Sequence, residues 1–492
     1  MLPVLAVALS LGLVGASPAF AHAAPSPAAV PPGTGLAWGW NAFGQLGNGT
    51  NTRSNVPVPV ALPAGTRITA IDGGGGYSLA LTSTGTVLAW GSNHYGQLGN
   101  GTNTHSNVPV PVALPTGTRI TAIDAGHDHS LALTSTGTVL AWGDNSSGEL
   151  GNGTNTRSRI PVPVALPTGT RITAIDGGSA HSLALTSTGT MLAWGDNSSG
   201  ELGNGTNTHS NVPVPVALPT GTRITAIDGG TAHSLALTST GTMLAWGYNH
   251  YGQLGNGTNT HSNVPVPVSL PNPSIVAIAT GSHHSLALTS TGTMLAWGYN
   301  HYGQLGNGTN THSNVPVAVD FLPTITATDA GGEHSLVLTS TGTMYAWGYN
   351  TSGQLGNGTN TSSSRPVPVN LPAGTRITAI AAAYYHTLAL TAPSTSTTTL
   401  RVSPPDPGAD PEVTLTATVT CTAGTPTGTV TFLGGTTMGT APLSGSPTAT
   451  AILTRQLQPG RHTIVARYNG NGTCPPAESE PIILTLPGLS SP

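Results

Sequence analysis

Charged side chains are scarce in this 492-residue sequence. They make up 6% of it, against about 25% in a typical soluble protein. All 13 basic residues are arginine, because no lysine occurs. The formal net charge of −4 excludes a basic chain that binds nucleic acid through clustered phosphate contacts. A mean hydropathy of +0.04 with so little charge also argues against charge-driven disorder.

Long apolar runs are absent except at the N-terminus, so no membrane span of ~18 residues is expected further along the chain. Residues 2–16 are almost wholly apolar, and Ala19 and Ala21 stand at −3 and −1 of a cleavage point after residue 21. This pattern predicts a signal peptide at 1–21, a flexible segment at 22–32 and secretion, although no basic residue precedes the apolar run. The alternative interpretation is a short buried helix.

Internal repeats dominate the rest of the sequence. Trp-Gly recurs at Trp38, Trp90, Trp142, Trp194, Trp246, Trp297 and Trp347, with spacings of 52, 52, 52, 52, 51 and 50 residues. A period near 50 indicates a solenoid or a propeller. Each unit has three short apolar or β-branched stretches between turn residues, followed by Pro-Val-Pro-Val, which can form only an edge strand because proline has no N–H to donate. We therefore predict four strands per unit, as in a propeller blade.

The ends of the repeat region predict how the ring closes. The Trp-Gly strand and the preceding pair of strands each occur seven times, but the chain begins and stops in the middle of a unit. Joining the first Trp-Gly strand to the last Leu-Ala-Leu strand completes a seventh blade and removes two open edges. The predicted fold is an all-β, seven-bladed propeller with strand-exchange closure.

The repeated motifs carry a family resemblance. Trp-Gly-x-Asn-x-x-Gly-Gln-Leu-Gly-x-Gly at 90–101 and 246–257, with Gly-x-x-His-Ser-Leu-Ala-Leu at 178–185 and 281–288, resembles the regulator of chromosome condensation repeat over 33–391. The resemblance implies the same seven-bladed propeller. Glutamate replaces the motif glutamine at Glu149 and Glu201, and Tyr77 replaces the histidine of the first unit.

The C-terminal region forms a second predicted domain. A polar linker at 392–399 precedes strand-like segments at 400–487, which resemble a bacterial immunoglobulin-like repeat and imply a β-sandwich that acts as a spacer or an adhesive module. Both cysteines, Cys421 and Cys474, lie here. A disulfide between them would close a loop and stabilise the folded domain by roughly 4 kcal/mol in the chain-entropy model. Secretion would supply the oxidising compartment that it needs.

Residues at repeated positions are assigned structural roles. The histidines at one repeat position would form a ring, and we expect each to bond its own blade's backbone; the alternative is a metal or proton-relay role. The structural set comprises Trp90, Trp142, Trp194, Trp246, Trp297, Trp347, His181, His233, His284 and His334. The ring also includes His129 and His386.

No metal, cofactor or catalytic set is expected. The loops at 144–149 and 196–201 lack the acidic residues at positions 3 and 5 that a calcium loop needs, and we interpret them as solvated loops instead of calcium sites. A nucleophile–base–acid set should break the repeat symmetry, and none does. We therefore expect a non-enzymatic protein.

Variation between units marks a candidate binding face. The first-to-second and third-to-fourth strand loops lie on one face and differ most between units, either through selection for binding or through neutral drift. Their tyrosines and histidines could stack on sugars or anchor a protein. The candidate binding residues are His94, Tyr95, His127, His250, Tyr251, His283, His301, Tyr302, Tyr384 and Tyr385.

Four functions compete at this stage. The favoured one is a secreted, monomeric binding or adhesion protein whose partner is a protein or a cell-surface glycan. An inhibitor of a secreted enzyme is an alternative, because a bacterial β-lactamase inhibitory protein has this type of propeller, but the aromatic anchors which that resemblance implies are mostly missing. Guanine-nucleotide exchange, the family's eukaryotic role, lacks room here for an inserted wedge. A glycan lyase or hydrolase is the fourth hypothesis.

Overall fold

The computed structural model describes residues 33–270, 274–320, 323–372, 375–392, 395–407, 412–422, 425–471 and 474–487. The predicted signal peptide (1–21) and flexible segment (22–32) lie outside the described residues, as does part of the predicted linker. All regular secondary structure in the described ranges is β-strand, which confirms the all-β prediction. No helix in those ranges is long and apolar enough to cross a membrane.

Seven four-stranded antiparallel sheets form the blades, with strands lettered A to D outward from the centre of the ring. The A strands are Ile68–Gly73, Ile120–Ala125, Ile172–Gly177, Ile224–Gly229, Ile275–Thr280, Ile325–Ala330 and Ile377–Ala382. The B strands are Tyr77–Thr82, His129–Thr134, His181–Thr186, His233–Thr238, His284–Thr289, His334–Thr339 and His386–Thr391. The C strands are Val87–Gly91, Val139–Gly143, Met191–Gly195, Met243–Gly247, Met294–Gly298, Met344–Gly348 and Gly35–Gly39. The D strands are Ser106–Pro111, Ser158–Pro163, Ser210–Pro215, Ser262–Pro267, Ser313–Ala318, Ser363–Pro368 and Ser54–Pro59. In that order, blades 1 to 7 carry Trp90, Trp142, Trp194, Trp246, Trp297, Trp347 and Trp38.

The apolar core lies between blades. Strands B and C of blade 3 are buried along their whole length, and His181 pairs with Gly195 while Leu183 pairs with Ala193. A strand covered on both faces needs a nearly continuous apolar run, which is what Leu-Ala-Leu and Leu-Ala-Trp supply. Seven apolar clusters result, one at each boundary between neighbouring blades.

The proline-rich D strand is the outer edge of its sheet, as predicted. In blade 3, Val214 pairs with Ala193 and Ser210 with Gly195, and the register shifts between these two pairs. Because the D strand is paired on one side only, the missing N–H groups of its prolines do not break an internal ladder. Proline on an exposed edge also discourages pairing with another chain.

Blade 7 is assembled from both ends of the repeat region. Its A and B strands are Ile377–Ala382 and His386–Thr391, whereas its C and D strands are Gly35–Gly39 and Ser54–Pro59. Gly35 pairs with Leu390, and Gly39 pairs with His386. The strand-exchange closure predicted from the sequence is therefore confirmed.

A tryptophan fixes each blade boundary. The Trp194 indole donates from Nε1 to the Glu149 carbonyl in the preceding blade, at 2.7 Å. Gly151 lies against this indole with a φ of +57°, and a Cβ there would stand 2.7 Å from Trp194 Nε1. Glycine is required at this point by both its backbone conformation and the close approach of the ring. Equivalent bonds occur at every boundary and join Trp38–Gln354, Trp90–Gln45, Trp142–Gln97, Trp246–Glu201, Trp297–Gln253 and Trp347–Gln304.

The buried histidines bond the next blade, so the expectation that each bonds its own blade's backbone is wrong. His181 Nε2 lies 3.0 Å from Ser234 Oγ, and Ser234 donates its proton to the Glu201 carbonyl, also at 3.0 Å. The imidazole must therefore donate from Nε2, and burial, which lowers the pKa of His181, keeps the ring neutral. The pairs are His129–Ser182, His181–Ser234, His233–Ser285, His284–Ser335, His334–Thr387 and His386–Ser78. At the remaining boundary, the Tyr77 hydroxyl lies 2.9 Å from Ser130 Oγ. Each of the seven blade boundaries therefore carries one such side-chain hydrogen bond.

The C-terminal region folds into two small sheets. Its strands are Ser396–Ser403, Glu412–Cys421, Thr429–Leu433, Thr437–Pro442, Ala449–Gln456, Gly460–Tyr468, Ala477–Glu478 and Ile482–Leu486. Phe432 and Tyr468 are fully buried in its core, and the Tyr468 hydroxyl donates to the Thr427 carbonyl at 3.0 Å. A disulfide joins Cys421 to Cys474, whose Cα atoms are 5.9 Å apart. This architecture matches the predicted immunoglobulin-like sandwich.

Candidate interaction face

One buried asparagine folds each loop between strands C and D. In blade 4, the Asn249 side chain donates from Nδ2 to the carbonyls of Thr258 and Thr260, both at 3.0 Å. Its Oδ1 accepts the Leu254 N–H at 2.9 Å. Because the same bonds recur around the ring, the loop backbone is a constant frame on which neighbouring side chains vary. The equivalent residues are Asn41, Asn93, Asn145, Asn197, Asn300 and Asn350.

Aromatic side chains from blades 4 to 6 gather into one cluster, which we call the tyrosine–histidine patch. Its members are Tyr248, His250, Tyr251, His261, His283, Tyr299, His301, Tyr302, His312 and Tyr349. The Tyr251 ring centroid is 4.8 Å from that of Tyr299 and 5.6 Å from that of His283. The tyrosines are half-buried, whereas His250 and His301 are exposed. Five candidate binding residues from the sequence therefore meet in this patch.

A second cluster spans blades 7, 1 and 2, and we call it the tryptophan–phenylalanine patch. Its members are Trp40, Phe43, His94, His105, His127, Tyr384 and Tyr385. Phe43 stands 5.5 Å from His94, and His127 stands 5.1 Å from Tyr384, centroid to centroid. Tyr95 is the one candidate outside both patches, because the Arg157 guanidinium covers its ring at 4.3 Å.

Sequence reasoning missed the position directly after Trp-Gly. It carries Tyr248 and Tyr299, which stack on His261 and His312 at centroid distances of 4.6 and 4.8 Å. The signal was present in the sequence as variation between units. This position reads Trp40, Ser92, Asp144, Asp196, Tyr248, Tyr299 and Tyr349 around the ring.

The C–D loops of blades 2 and 3 form a polar sector between the two patches on one side of the ring. Asp144 pairs with Arg157, and Asp196 lies against His209, both at 2.7 Å. The prediction that these loops are solvated is wrong for Glu149 and Glu201, which are 3% and 1% exposed. Each glutamate folds back as the motif glutamine does, and Glu201 accepts the Ser199 N–H at 2.9 Å.

Burial governs the protonation of these carboxyl groups. It raises the pKa of both Glu149 and Glu201, and the backbone hydrogen bonds only partly offset the effect. Across the described ranges, no group of three or more histidine, cysteine or acidic residues is placed to hold a metal ion.

The profile of the RCC1-like domain family matches residues 33–389. This chain belongs to that family. A profile of the bacterial Ig-like domain (group 3) matches residues 400–486. Both matches confirm the resemblances read from the repeats and from the C-terminal strands.

Several known proteins share the RCC1-like repeats. The Arabidopsis thaliana ultraviolet-B receptor UVR8 is 34% identical over 286 residues, which are 58% of this chain and 65% of the receptor. The human E3 ubiquitin-protein ligase HERC2 is 36% identical over 286 residues, 57% of this chain but 6% of the ligase. This chain therefore spans less than two thirds of the length of these relatives.

Solved structures show the same RCC1-like fold. Human WBSCR16 has a TM-score of 0.67 and 25% identity, covering 73% of this chain and 98% of WBSCR16. Yeast RCC1 (Prp20) has a TM-score of 0.68 and 22% identity, covering 79% of this chain and 96% of Prp20. These likenesses confirm the predicted seven-bladed architecture.

The serine–histidine pairs of the RCC1-like propeller are not built as nucleophile–base pairs. His181 and Ser234 are both fully buried, and the serine already donates its proton to a main-chain carbonyl. Burial lowers the pKa of His181 to about 4. A general base needs a pKa near the working pH and access to substrate. This pair has neither.

Proposed function

We propose that this protein is secreted, is not an enzyme, and binds a protein partner through the propeller face that carries the two aromatic patches. The observation that carries the proposal is the concentration of tyrosine there. Eight of the eleven tyrosines lie in the loops of this face, namely Tyr95, Tyr248, Tyr251, Tyr299, Tyr302, Tyr349, Tyr384 and Tyr385. Tyrosine gives large, rigid, amphipathic contact area and is enriched at protein interfaces.

The rigidity of the frame supports the same proposal. Each aromatic C–D loop is held by its buried asparagine and by a hydrogen bond from the tryptophan of the next blade. Side chains on such a frame lose little conformational freedom on binding, so more of the contact energy appears as affinity. The patches also span three blades each, which is an area suited to a protein surface more than to a single sugar ring.

Secretion and a spacer role for the Ig-like domain complete the proposal. The N-terminal apolar run with Ala19 and Ala21 favours export, and the Cys421–Cys474 disulfide suits an oxidising compartment. The Ig-like domain would then hold the propeller away from whatever anchors the chain.

Affinity capture tests the binding face. The full chain, the double variant Tyr251→Ala/Tyr302→Ala and the control Ser199→Ala, which changes the loop position equivalent to Tyr251, are immobilised and exposed to secreted bacterial proteins, to insoluble cell wall and to soluble polysaccharide. We expect a protein that is retained by the native chain and the control and that is lost, by tenfold or more, with the double variant.

Each alternative predicts a different capture. Retention of polysaccharide alone would replace the protein partner by a glycan, and retention of a secreted β-lactamase with loss of its activity would favour an inhibitor. Equal capture by all three proteins would exclude the tyrosine–histidine patch as the binding surface. Tryptophan fluorescence checks that the double variant is folded.

A further inference from the structure

An acidic residue in an A–B loop is rare, and the two examples behave differently. Around the ring, the last loop residue before strand B is Gly76, Asp128, Ala180, Ala232, His283, Glu333 and Tyr385. Asp128 is held internally: Gln97 donates to it from Nε2 at 3.0 Å, and His127 Nδ1 lies 2.7 Å from its other oxygen. Both carboxylate oxygens of Asp128 therefore already have partners within the fold.

Glu333 leaves the corresponding internal donor unused. Gln304 occupies the place of Gln97 and is fully buried, yet its Nε2 has no hydrogen-bond partner within the described residues. The two residues are adjacent, because a Cβ on Gly348 would lie 2.5 Å from the Glu333 carbonyl oxygen and 3.3 Å from the Gln304 Cα. The ion pairs of the described residues do not include Glu333. Gln304 therefore does not hold the Glu333 carboxylate as Gln97 holds that of Asp128.

Tyrosines are the neighbours of Glu333 in this part of the face. The Tyr349 N–H donates to the Glu333 carbonyl at 2.8 Å, and the Tyr349 ring lies 4.7 Å from that of Tyr302, centroid to centroid. The Glu333 charge raises the pKa of the Tyr302 hydroxyl, and it contributes, after burial, to the raised pKa of Tyr299. Burial in turn raises the pKa of the half-buried Glu333.

A carboxylate that belongs to no ion pair of the described residues, on a residue next to tyrosines, is complementary to a positive group. Ring faces attract cations through their quadrupole, and the carboxylate adds a charge-assisted hydrogen bond. A guanidinium suits such a site better than an ammonium, because it is planar, weakly hydrated, stacks on tyrosine and can bond a carboxylate through two N–H groups. His301 is the competing cation, because its charge acts on Glu333 when it is protonated.

We propose that Glu333, with Tyr299, Tyr302 and Tyr349, receives an arginine side chain of the protein partner. This inference rests on the proposed function, because it assigns a specific contact within the same binding face.

Matched peptides test the arginine site on the full chain. Acetyl-Gly-Arg-Gly-amide and the same peptide with citrulline, the neutral isostere of arginine, are titrated at pH 8, and binding is followed by ligand-observed NMR. We expect the arginine peptide to bind about tenfold more tightly than the citrulline peptide. Glu333→Gln should remove that difference, and Asp128→Asn, at the equivalent position in blade 2, should preserve it.

The possible failures are distinguishable. Equal binding of the two peptides, or a preference that survives in Glu333→Gln, overturns the arginine site. A preference lost equally in Asp128→Asn overturns it too, because the effect would then be general electrostatics. If a captured protein is lost with the double variant Tyr251→Ala/Tyr302→Ala but is retained equally by Glu333→Gln, the binding face stands and the arginine site is wrong. If Glu333 selects arginine but the double variant still captures the same proteins, the proposed binding face is wrong instead.

Discussion

One residue type has two opposite roles in this protein. Six histidines are buried between blades, where burial lowers the pKa and keeps them neutral, and each donates to a serine or threonine of the next blade. Nine others, in the loops of the interaction face, are exposed or half-buried; they are His94, His105, His127, His209, His250, His261, His283, His301 and His312. Burial and the partner decide the role, and the identity of the side chain does not.

The glycines of the C–D loop give a test at the residue scale. Gly151→Ala should strongly destabilise the propeller, by about 3 kcal/mol or more, because the new Cβ would add a clash with Trp194 Nε1 to an unfavourable positive φ. Gly153→Ala is the matched control: its φ is +82°, but the nearest atom to a Cβ is Val212 Cγ1 at 3.9 Å. It should cost only the backbone strain, about 1–2 kcal/mol. Urea midpoints followed by tryptophan fluorescence measure both, and similar midpoints would mean that the indole does not require glycine.

At the scale of the element, the C–D loop separates a constant frame from variable side chains. Its asparagine, glycines and glutamine repeat because each serves the same local bond or close approach. The residue after Trp-Gly and the two residues after the asparagine contribute little to that frame, so aromatic, acidic and small side chains all occur there. Binding specificity can therefore change without loss of the fold.

The buried glutamates give a test of this frame. Glu201→Gln should stabilise the protein at pH 7.5 by about 1–2 kcal/mol, because the amide oxygen keeps the bond from the Ser199 N–H while the buried charge is removed. Burial raises the pKa of Glu201, so the ionised native form is disfavoured above the ordinary pKa of 4.5 and the gain should vanish below it. Urea midpoints at pH 7.5, above the range in which the buried histidines destabilise the propeller, measure the gain. The reverse change, Gln253→Glu, should destabilise the protein. If neither variant changes the urea midpoint, the carboxylate is solvated and not buried.

The strands and the closure were predictable, but the contacts between units were not. Strand type follows from local patterns such as Leu-Ala-Leu and Pro-Val-Pro-Val, and the half-units at the two ends predict how the ring closes. The partner of His181 could not be read, because Ser234 lies in the next unit and only packing decides which blade each side chain faces. Tyr251 and Tyr302 were found from variation between units, whereas Tyr95 behaves differently because Arg157 of the next blade covers it.

For the whole molecule, the ring of buried histidines links stability to pH. Burial lowers the pKa to about 4 in His129 and His181 and to about 3 in His284, His334 and His386, and it lowers that of His233 as well. In the unfolded chain the same groups titrate near 6.5. The unfolded state therefore takes up protons that the native ring excludes. The stabilising effect of neutral burial is complete above pH 6.5 and is lost progressively as the pH falls towards the native values.

Because six histidines contribute, this loss of stability is steep. Below pH 6.5, each histidine lowers the free energy of unfolding by about 1.4 kcal/mol per pH unit, so the six together lower it by about 8 kcal/mol per unit. This loss is comparable to the whole stability of a typical domain. We expect the propeller to lose most of its stability between pH 6.5 and 5 and to unfold before pH 4. All eight tryptophans lie in the propeller, so thermal melts followed by tryptophan fluorescence report on it without the Ig-like domain. The variant His181→Tyr replaces one ring histidine by the residue that blade 1 already uses. It should reduce the slope of the unfolding free energy against pH by the equivalent of about one proton. A melting temperature unchanged between pH 7.5 and 5 would show that the ring histidines do not govern the stability of the fold.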